Sequence, residues 1–118
     1  MVSVMGIIFY VSHQPGDFAN LPPIAGLDKL LHVFTYSILA ATFLYALQPL
    51  ARSSNCSAIG IMVVIFCFVY GISDEYHQFF IPGRFASFWD VLADGMGGLL
   101  VAGVWLRRNK RSAKAKDK

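Results

Sequence analysis

Residues 57–80 read SAIGIMVVIFCFVYGISDEYHQFF, a long apolar run that ends in charged and polar residues. No charged residue occurs between Ala58 and Val69, whereas Asp74 and Glu75 follow close to the end of the stretch. A helix needs about 20 mainly apolar residues to cross the hydrocarbon core of a membrane. This stretch therefore predicts a membrane-spanning helix with acidic side chains near one end, where a charge is costly unless it is paired or hydrated.

The composition of the whole chain agrees with a membrane location. The chain has 118 residues, of which 56% are hydrophobic and only 14% charged, and its mean hydropathy is +0.54. Soluble domains carry about 25% charged residues. Cys56 and Cys67 form no C-x-x-C pair, so neither a disulfide nor a thiolate metal site is indicated. We therefore expect a single all-α, polytopic membrane helix bundle.

Apolar segments and breaks in the sequence predict about four helices. A short first helix over 2–11 is followed by helices over 28–48, 57–80 and 88–106. The loop 13–27 is rich in proline and glycine, Pro49 is expected to stop the second helix, and Pro82-Gly83 predicts a turn before the last one. The first helix lacks a basic start and an A-x-A site, so we expect it to be retained. Residues 1–106 form the predicted membrane domain, and 107–118 form a basic tail.

The basic residues predict the orientation of these helices. Seven of the ten lysines and arginines lie in 107–118. Loops rich in lysine and arginine stay in the cytoplasm, so we expect a cytoplasmic C-terminus and carboxylates at the outer face. The tail resembles a nucleic-acid-binding patch in composition. Because it follows a membrane helix, we expect it instead to fix the topology and to attract anionic lipid. We expect membrane lipid as a partner and no nucleic acid.

Polar side chains form a stripe along each long helix. Residues four apart share one helix face, and polar stripes in membrane helices face the bundle interior. The stripes contain Asp28, His32 and Tyr36 on the second helix, Tyr70, Asp74, His77 and Gln78 on the third with Glu75 beside them, and Asp90 and Asp94 on the fourth. On the last helix Gly95, Gly98, Ala102 and Gly103 are small residues predicted to let a neighbour approach closely.

Three uses of this cluster remain open on these residues. Carboxylates that lie close together can divide the roles of general acid and base. Asp28 and His32, with Asp74 or Glu75, could bind a divalent metal, and Arg84 in the turn could hold a phosphate or carboxylate. The charges could also serve helix packing alone. We expect His77 to lie at an interface between helices and not to bind a ligand. The apolar inner halves of the long helices argue against a channel or pump.

The same residues resemble the pattern of the VanZ family, small bacterial membrane proteins named for a teicoplanin-resistance protein. The matching pieces are Ser12-His13-Gln14-Pro15 with Leu21-Pro22, then Asp28-Lys29 with His32 and Tyr36, then Asp74-Glu75 with Gln78, Phe80 (shifted by one) and Pro82-Gly83-Arg84, and finally Asp90 with Gly97. Asp94 departs from the pattern, because the family usually has Asn there. The resemblance covers nearly the whole chain.

The resemblance implies an envelope protein of the bacterial inner membrane that could affect glycopeptide susceptibility, and it supplies no reaction. We predict that the protein engages an outer-leaflet lipid-linked or peptidoglycan-related ligand. The alternative is a non-enzymatic membrane protein whose buried polar cluster serves helix packing or the handling of small ligands or protons. The candidate catalytic residues are Asp74, Glu75, Asp90 and His32. The candidate ligand-binding residues are Asp28, Lys29, Tyr36, Gln78, Arg84 and Asp94. Metal, cofactor and oligomeric state stay open.

Overall fold

The computed structural model describes residues 1–15, 26–51 and 55–116, with side chains for all of these except 51 and 111–116. The described residues contain five helices and no strand. They are α1 (Val2–Ser12), α2 (Leu27–Ala46), α3 (Gln48–Ala51), α4 (Cys56–Gln78) and α5 (Phe88–Lys116). Helices α2, α4 and the Phe88–Lys110 part of α5 are long and apolar enough to cross a membrane, whereas α1 is a shorter apolar helix. The predicted all-α bundle with a short first helix is confirmed. Most of the predicted loop 13–27 lies outside the described residues.

Local sequence sets several of the helix ends. Gly26 precedes α2 with a φ of 82°, a left-handed conformation that glycine adopts without steric cost. The side chain of Asn55 accepts a hydrogen bond from the Ser57 N–H at 2.8 Å and caps the start of α4. Pro49 does not end the second helix as predicted, because α2 already ends at Ala46 and Pro49 lies in α3. Proline is tolerated there because the first turn of a helix leaves its N–H groups unpaired.

The last helix is longer than its apolar segment. We predicted an end at about residue 106, but α5 continues to Lys116, so it has 29 residues. At about 1.5 Å per residue it is roughly 43 Å long, more than the hydrocarbon core of about 30 Å. The basic residues that follow Leu106 include no glycine or proline to interrupt the helix. Most of the predicted basic tail is thus a helical extension of the last membrane span.

Helix α5 packs against both α2 and α4, and two glycines permit the close approach. A Cβ atom on Gly97 would lie 2.7 Å from the carbonyl oxygen of Val33 in α2. A Cβ atom on Gly98 would lie 3.1 Å from Cys67 in α4. The predicted packing role of Gly103 is wrong for the described part of the chain, because a Cβ there would meet no atom of another described residue within 4 Å. Small residues thus matter at Gly97 and Gly98, and Ala102 is also buried, whereas a Cβ on Gly103 would contact none of the described residues.

The outer surface of the bundle is apolar, whereas carboxylates are buried inside it. Ile61, Ile65, Val69 and Ile72 form an exposed row along α4. Asp74, Glu75, Gln78, Asp90 and Asp94 are buried. A soluble protein shows the opposite distribution, whereas a helix bundle in lipid exposes aliphatic side chains and keeps ionisable groups inside. This distribution agrees with the three membrane-spanning segments.

Candidate functional site

Four helix ends meet at one end of the bundle and bring the predicted site residues together. Lys29 Nζ at the start of α2 lies 2.8 Å from Asp90 Oδ1 at the start of α5. His32 and Asp94 join the same two helices at 2.9 Å. Ser12, the last residue of α1, contacts Asp74 near the end of α4. Residues far apart in the sequence therefore form one polar region, which divides into two parts.

The first part lies between α1 and α4. The Ser12 hydroxyl donates to Asp74 Oδ2 at 2.9 Å, and Gln78 Nε2 donates to the same oxygen at 3.1 Å and to Ser12 Oγ at 3.4 Å. All three residues are buried. The Asp74 carboxylate is thus held by two donors, one from each helix. Of the candidate catalytic residues, Asp74 is the one whose surroundings best fit a structural role.

Helix α1 covers the whole polar stripe of α4. The Tyr70 hydroxyl donates to the carbonyl oxygen of Met5 at 2.8 Å. One turn beyond Asp74, His77 Nε2 lies 3.1 Å from His13 Nδ1, and the two rings stack at 5.3 Å between centroids. His77 therefore lies at the interface with α1, as its position in the sequence favoured. A helix too short to span the membrane completes this side of the site.

Arg84 binds the end of α1 and contacts no carboxylate among the described residues. Its Nε donates to the carbonyl oxygen of Gln14 at 3.1 Å, and its Nη2 donates to that of Val11 at 2.9 Å. The last carbonyls of a helix lack partners within the helix and attract cations. These two bonds use two of the five N–H groups of the guanidinium, and Nη1 takes no part in them. Arg84 thus positions α1 while it also lines the cavity described below.

The second part lies between α2, α4 and α5. Lys29 bridges Asp28, at 2.5 Å, and Asp90, at 2.8 Å. The Asp28 side chain is 54% exposed and the Asp90 side chain 11%, so Asp28 is the more accessible of these two carboxylates. Deeper in the bundle, His32 Nδ1 and Asp94 Oδ1 share a hydrogen bond, and Asp94 is fully buried. The departure from the family pattern at position 94 therefore puts a carboxylate where it directly orients a histidine.

Glu75 completes this second part and leaves one oxygen without a partner. Its Oε2 accepts a hydrogen bond from the Ser87 N–H at 2.7 Å, whereas Oε1 is buried and bonded to none of the described groups. Ligand atoms of His32, Glu75 and Asp90 all lie within 4.8 Å of one another. These three residues could hold a metal ion. The structure thus groups His32 and Glu75 with Asp90 and not with Asp28, the partner considered from the sequence.

A cavity of about 290 Å³ opens between α1, α2 and α4 beside the first part. Its lining contains both apolar and polar side chains. The apolar side chains are Ile7, Ile8, Val11 and Leu31, and the polar ones are Ser12, Asp28, His32, Thr35, Tyr36, Asp74, Gln78 and Arg84. The Tyr36 hydroxyl is buried and bonded to no described group. A larger cavity of about 420 Å³ near the other end, between α2 and α5, contains none of the candidate site residues.

Reasoning from the sequence missed the contributions of α1 and of one backbone group. Ser12 belongs to the Ser-x-x-Pro piece of the family pattern, but nothing in its spacing to other residues showed that it would meet Asp74. The Ser87 N–H was not considered, because a backbone donor before a helix carries no side-chain signal. All ten candidate residues lie in or beside the two parts, and their roles in binding or catalysis stay predictions.

Comparison with known proteins identifies the family of this chain. Neither a curated protein nor a solved structure matched it. The model of the VanZ/LLP1 family matches residues 1–109, which include the four helix ends that form the polar site. The match therefore spans the three membrane helices, α1 and both parts of the polar site, and the chain belongs to the VanZ/LLP1 family.

Proposed function

We propose that this protein binds a lipid-linked envelope ligand in the cavity between α1, α2 and α4, with the polar head of the ligand beside Tyr36, Asp74 and Arg84. The observation that carries the proposal is the lining of this cavity, which combines apolar side chains with polar and charged ones. Ligand sites are concave, mostly apolar and contain a few convergent polar groups. At about 290 Å³ the cavity suits a head group and the first part of a chain, and the rest of a lipid would remain in the membrane.

The buried hydroxyl of Tyr36 supports a polar ligand in this cavity. Tyr36 is 1% exposed, and its hydroxyl forms no hydrogen bond with a described residue. A buried donor without a partner costs about 1–3 kcal/mol. An oxygen of a bound head group could accept from this hydroxyl and remove that cost.

The mixture of charges favours a head group with hydroxyl and phosphate oxygens. Asp28 and Asp74 offer acceptors, while the guanidinium of Arg84 retains donors beyond its two backbone bonds. Sugar hydroxyls both donate and accept, and phosphate suits arginine. A lipid-linked saccharide or peptidoglycan precursor combines both groups with an apolar chain. Sequestering such a ligand at the outer face would change susceptibility to glycopeptides, which act on the same class of molecule.

Binding of a polyprenyl phosphate tests this proposal. The full chain would be purified, placed in nanodiscs with and without polyprenyl phosphate, and examined by native mass spectrometry. We expect Tyr36→Phe to weaken binding by about 2- to 12-fold, which corresponds to a lost hydrogen bond of about 0.5–1.5 kcal/mol. Tyr45→Phe is the matched control, because Tyr45 lies on the same helix and is exposed. Equal binding by both variants and the parent would contradict the proposal.

Arg84→Lys gives a second arm of the same experiment. Lysine keeps the charge but cannot reproduce the planar fork of the guanidinium, so we expect weaker binding of the phosphate. If Arg84 serves only to hold the end of α1, this variant should lower stability and leave the affinity of the folded fraction unchanged. In a strain that lacks the protein, the teicoplanin susceptibility restored by each variant should follow its affinity.

A second candidate function is supported by the hydrogen bonds of Asp74. Its two donors, Ser12 and Gln78, join α1 to α4 without any ligand. Polar bonds between membrane helices stabilise a bundle by about 0.6 kcal/mol on average. In this alternative the protein is non-enzymatic and its polar cluster serves packing. Normal susceptibility in strains that carry Tyr36→Phe and Arg84→Lys would favour it.

For the location, we propose a multi-pass protein of the bacterial cytoplasmic membrane with a cytoplasmic C-terminus. The seven basic residues after Leu106 support this orientation. It would place both parts of the polar site and the cavity at the outer leaflet, where lipid-linked precursors of the envelope are used.

A further inference from the structure

We propose that His32, Glu75 and Asp90 bind one divalent transition-metal ion between α2, α4 and α5. This inference goes beyond the proposed lipid binding and does not depend on it. A ring nitrogen of His32 and a carboxylate oxygen from each of Glu75 and Asp90 lie within 4.8 Å of one another. Each of the three residues comes from a different membrane helix, so a metal ion there would join the three spans.

The contacts of Glu75 point directly to a missing ligand. Glu75 is only 5% exposed, and its Oε2 already accepts from the Ser87 N–H. The other oxygen, Oε1, is buried and contacts no described donor. A buried carboxylate oxygen is costly without a partner. A cation bound by Oε1 would remove that cost, while the bond to Ser87 fixes the direction of the carboxylate.

His32 is oriented as metal-binding histidines are. Its Nδ1 lies 2.9 Å from Asp94 Oδ1, and in the tautomer with the proton on Nδ1 the free lone pair is on Nε2. A carboxylate that accepts from the second ring nitrogen is the usual partner of a metal-bound histidine, and it fixes both the tautomer and the ring orientation. Asp94 is therefore a positioning residue in this proposal. Its full burial keeps water from competing for the His32 N–H.

The local charge also favours a divalent cation. Glu75, Asp90 and Asp94 are buried carboxylates. Among the described lysines and arginines, Lys29 forms an ion pair with one of them, Asp90. Charges buried in a membrane protein need partners, and a cation of charge +2 would supply them. Lys29 holds Asp90 Oδ1 at 2.8 Å, so its ammonium group competes with the metal for Asp90.

The donor set indicates which metals fit. One imidazole and two carboxylates suit Zn²⁺ or Mn²⁺ better than Ca²⁺ or Mg²⁺, which prefer oxygen ligands alone. Ligand atoms about 2.1 Å from a tetrahedral zinc lie about 3.4 Å apart. Separations of up to 4.8 Å therefore require small side-chain rotations on binding.

Direct metal titration tests the proposal. The full chain in phosphatidylcholine nanodiscs would be stripped with a chelator and titrated by calorimetry with Zn²⁺ and, separately, with Mn²⁺; elemental analysis would give the stoichiometry. We expect one ion per chain for at least one of the two metals. His32→Ala, Glu75→Gln and Asp90→Asn should each abolish saturable binding. Asp94→Ala should weaken it by about 10- to 100-fold, and Asp94→Asn, which keeps an acceptor for His32, by less.

Matched controls separate this site from other metal-binding groups. His77→Ala removes the histidine that contacts His13 and lies outside the three proposed ligands, so this variant should bind the metal as the parent does. Lys29→Met keeps the length of the side chain and removes the competing ammonium, so we expect tighter binding. Tighter binding cannot result from misfolding.

Two results would overturn the proposal. One is the absence of saturable Zn²⁺ and Mn²⁺ binding by the parent protein. The other is binding that persists in Glu75→Gln and Asp90→Asn but disappears in His77→Ala, which would assign the ion to the pair of His13 and His77.

Discussion

The Ser12 hydroxyl donates to Asp74 Oδ2 at 2.9 Å and joins α1 to α4 across 62 positions of the sequence. Ser12 is the last residue of a helix too short to span the membrane. The bond shows that α1 is part of the polar site. The same helix supplies the backbone carbonyls that accept from Tyr70 and Arg84.

Replacing Ser12 with alanine should destabilise the bundle modestly. Ser12→Ala removes one of the two donors to Asp74, while Gln78 still donates to the same oxygen. We expect the free energy of unfolding to fall by about 0.6–1.7 kcal/mol, the range of interhelical hydrogen bonds in membranes. Ser73→Ala is the control, because the Ser73 hydroxyl donates only within its own helix, to Tyr70. Unfolding of the purified variants in mixed micelles measures the difference, and equal stability would contradict the role of Ser12.

The two glycines at positions 97 and 103 should respond oppositely to alanine. In Gly97→Ala the new Cβ would lie 2.7 Å from the Val33 carbonyl oxygen and 2.8 Å from the Ser37 nitrogen. Backbone atoms cannot rotate away, so α2 and α5 must separate, at a cost of about 1–3 kcal/mol. In Gly103→Ala the Cβ meets open space, and stability should stay level or rise by up to about 1 kcal/mol. Thermal unfolding of both variants checks this contrast; a larger loss for Gly103→Ala would refute the packing described.

Cysteine labelling should reveal the orientation of the site. In a Cys56→Ser background, Ser87→Cys should react with an impermeant thiol reagent on intact cells, and Ser112→Cys only after permeabilisation. Cys67 can remain, because it is fully buried. The expectation follows from the basic residues at the end of α5. Reaction of Ser112→Cys alone would invert the topology and move the site to the cytoplasmic face.

Removing the charge of Glu75 should separate function from packing. In Glu75→Gln the amide oxygen can still accept from the Ser87 N–H, so we expect a cost of less than about 1 kcal/mol in stability. Loss of an unpaired buried charge could even stabilise the bundle. We expect loss of the envelope phenotype with normal accumulation of folded protein, and the same for Asp90→Asn. Protein level, melting temperature and glycopeptide susceptibility would be measured together. Normal susceptibility in both variants would mean that Glu75 and Asp90 have only a structural role.

The sequence predicted the spans well, because length and hydropathy are properties of single segments. The run from Ala58 to Val69 is apolar enough to predict a membrane span, and it falls within α4. Boundaries were less accurate. The second helix ended before Pro49 and the last continued beyond residue 106, since helix ends depend on caps and local propensity as well as on hydropathy.

The spacing of residues also predicted which side chains share a helix face, but not which helix that face meets. Tyr70, Asp74 and Gln78 lie four residues apart, and all three face α1. Tyr70 donates a hydrogen bond to the Met5 carbonyl oxygen. Ser12 donates to Asp74 and accepts from Gln78. Glu75 is one residue away from Asp74. A rotation of about 100° about the helix axis directs it instead to Ser87 and the start of α5.

The sequence by itself determined that this is a membrane helix bundle with carboxylates gathered at one end of its helices. The tertiary structure alone decided the pairs: Lys29 with Asp90, His32 with Asp94, Ser12 with Asp74. The physical reason is that hydropathy and spacing act within one helix. Pairing depends instead on the rotation and separation of two helices, which the close contact at Gly97 and the docking of α1 set.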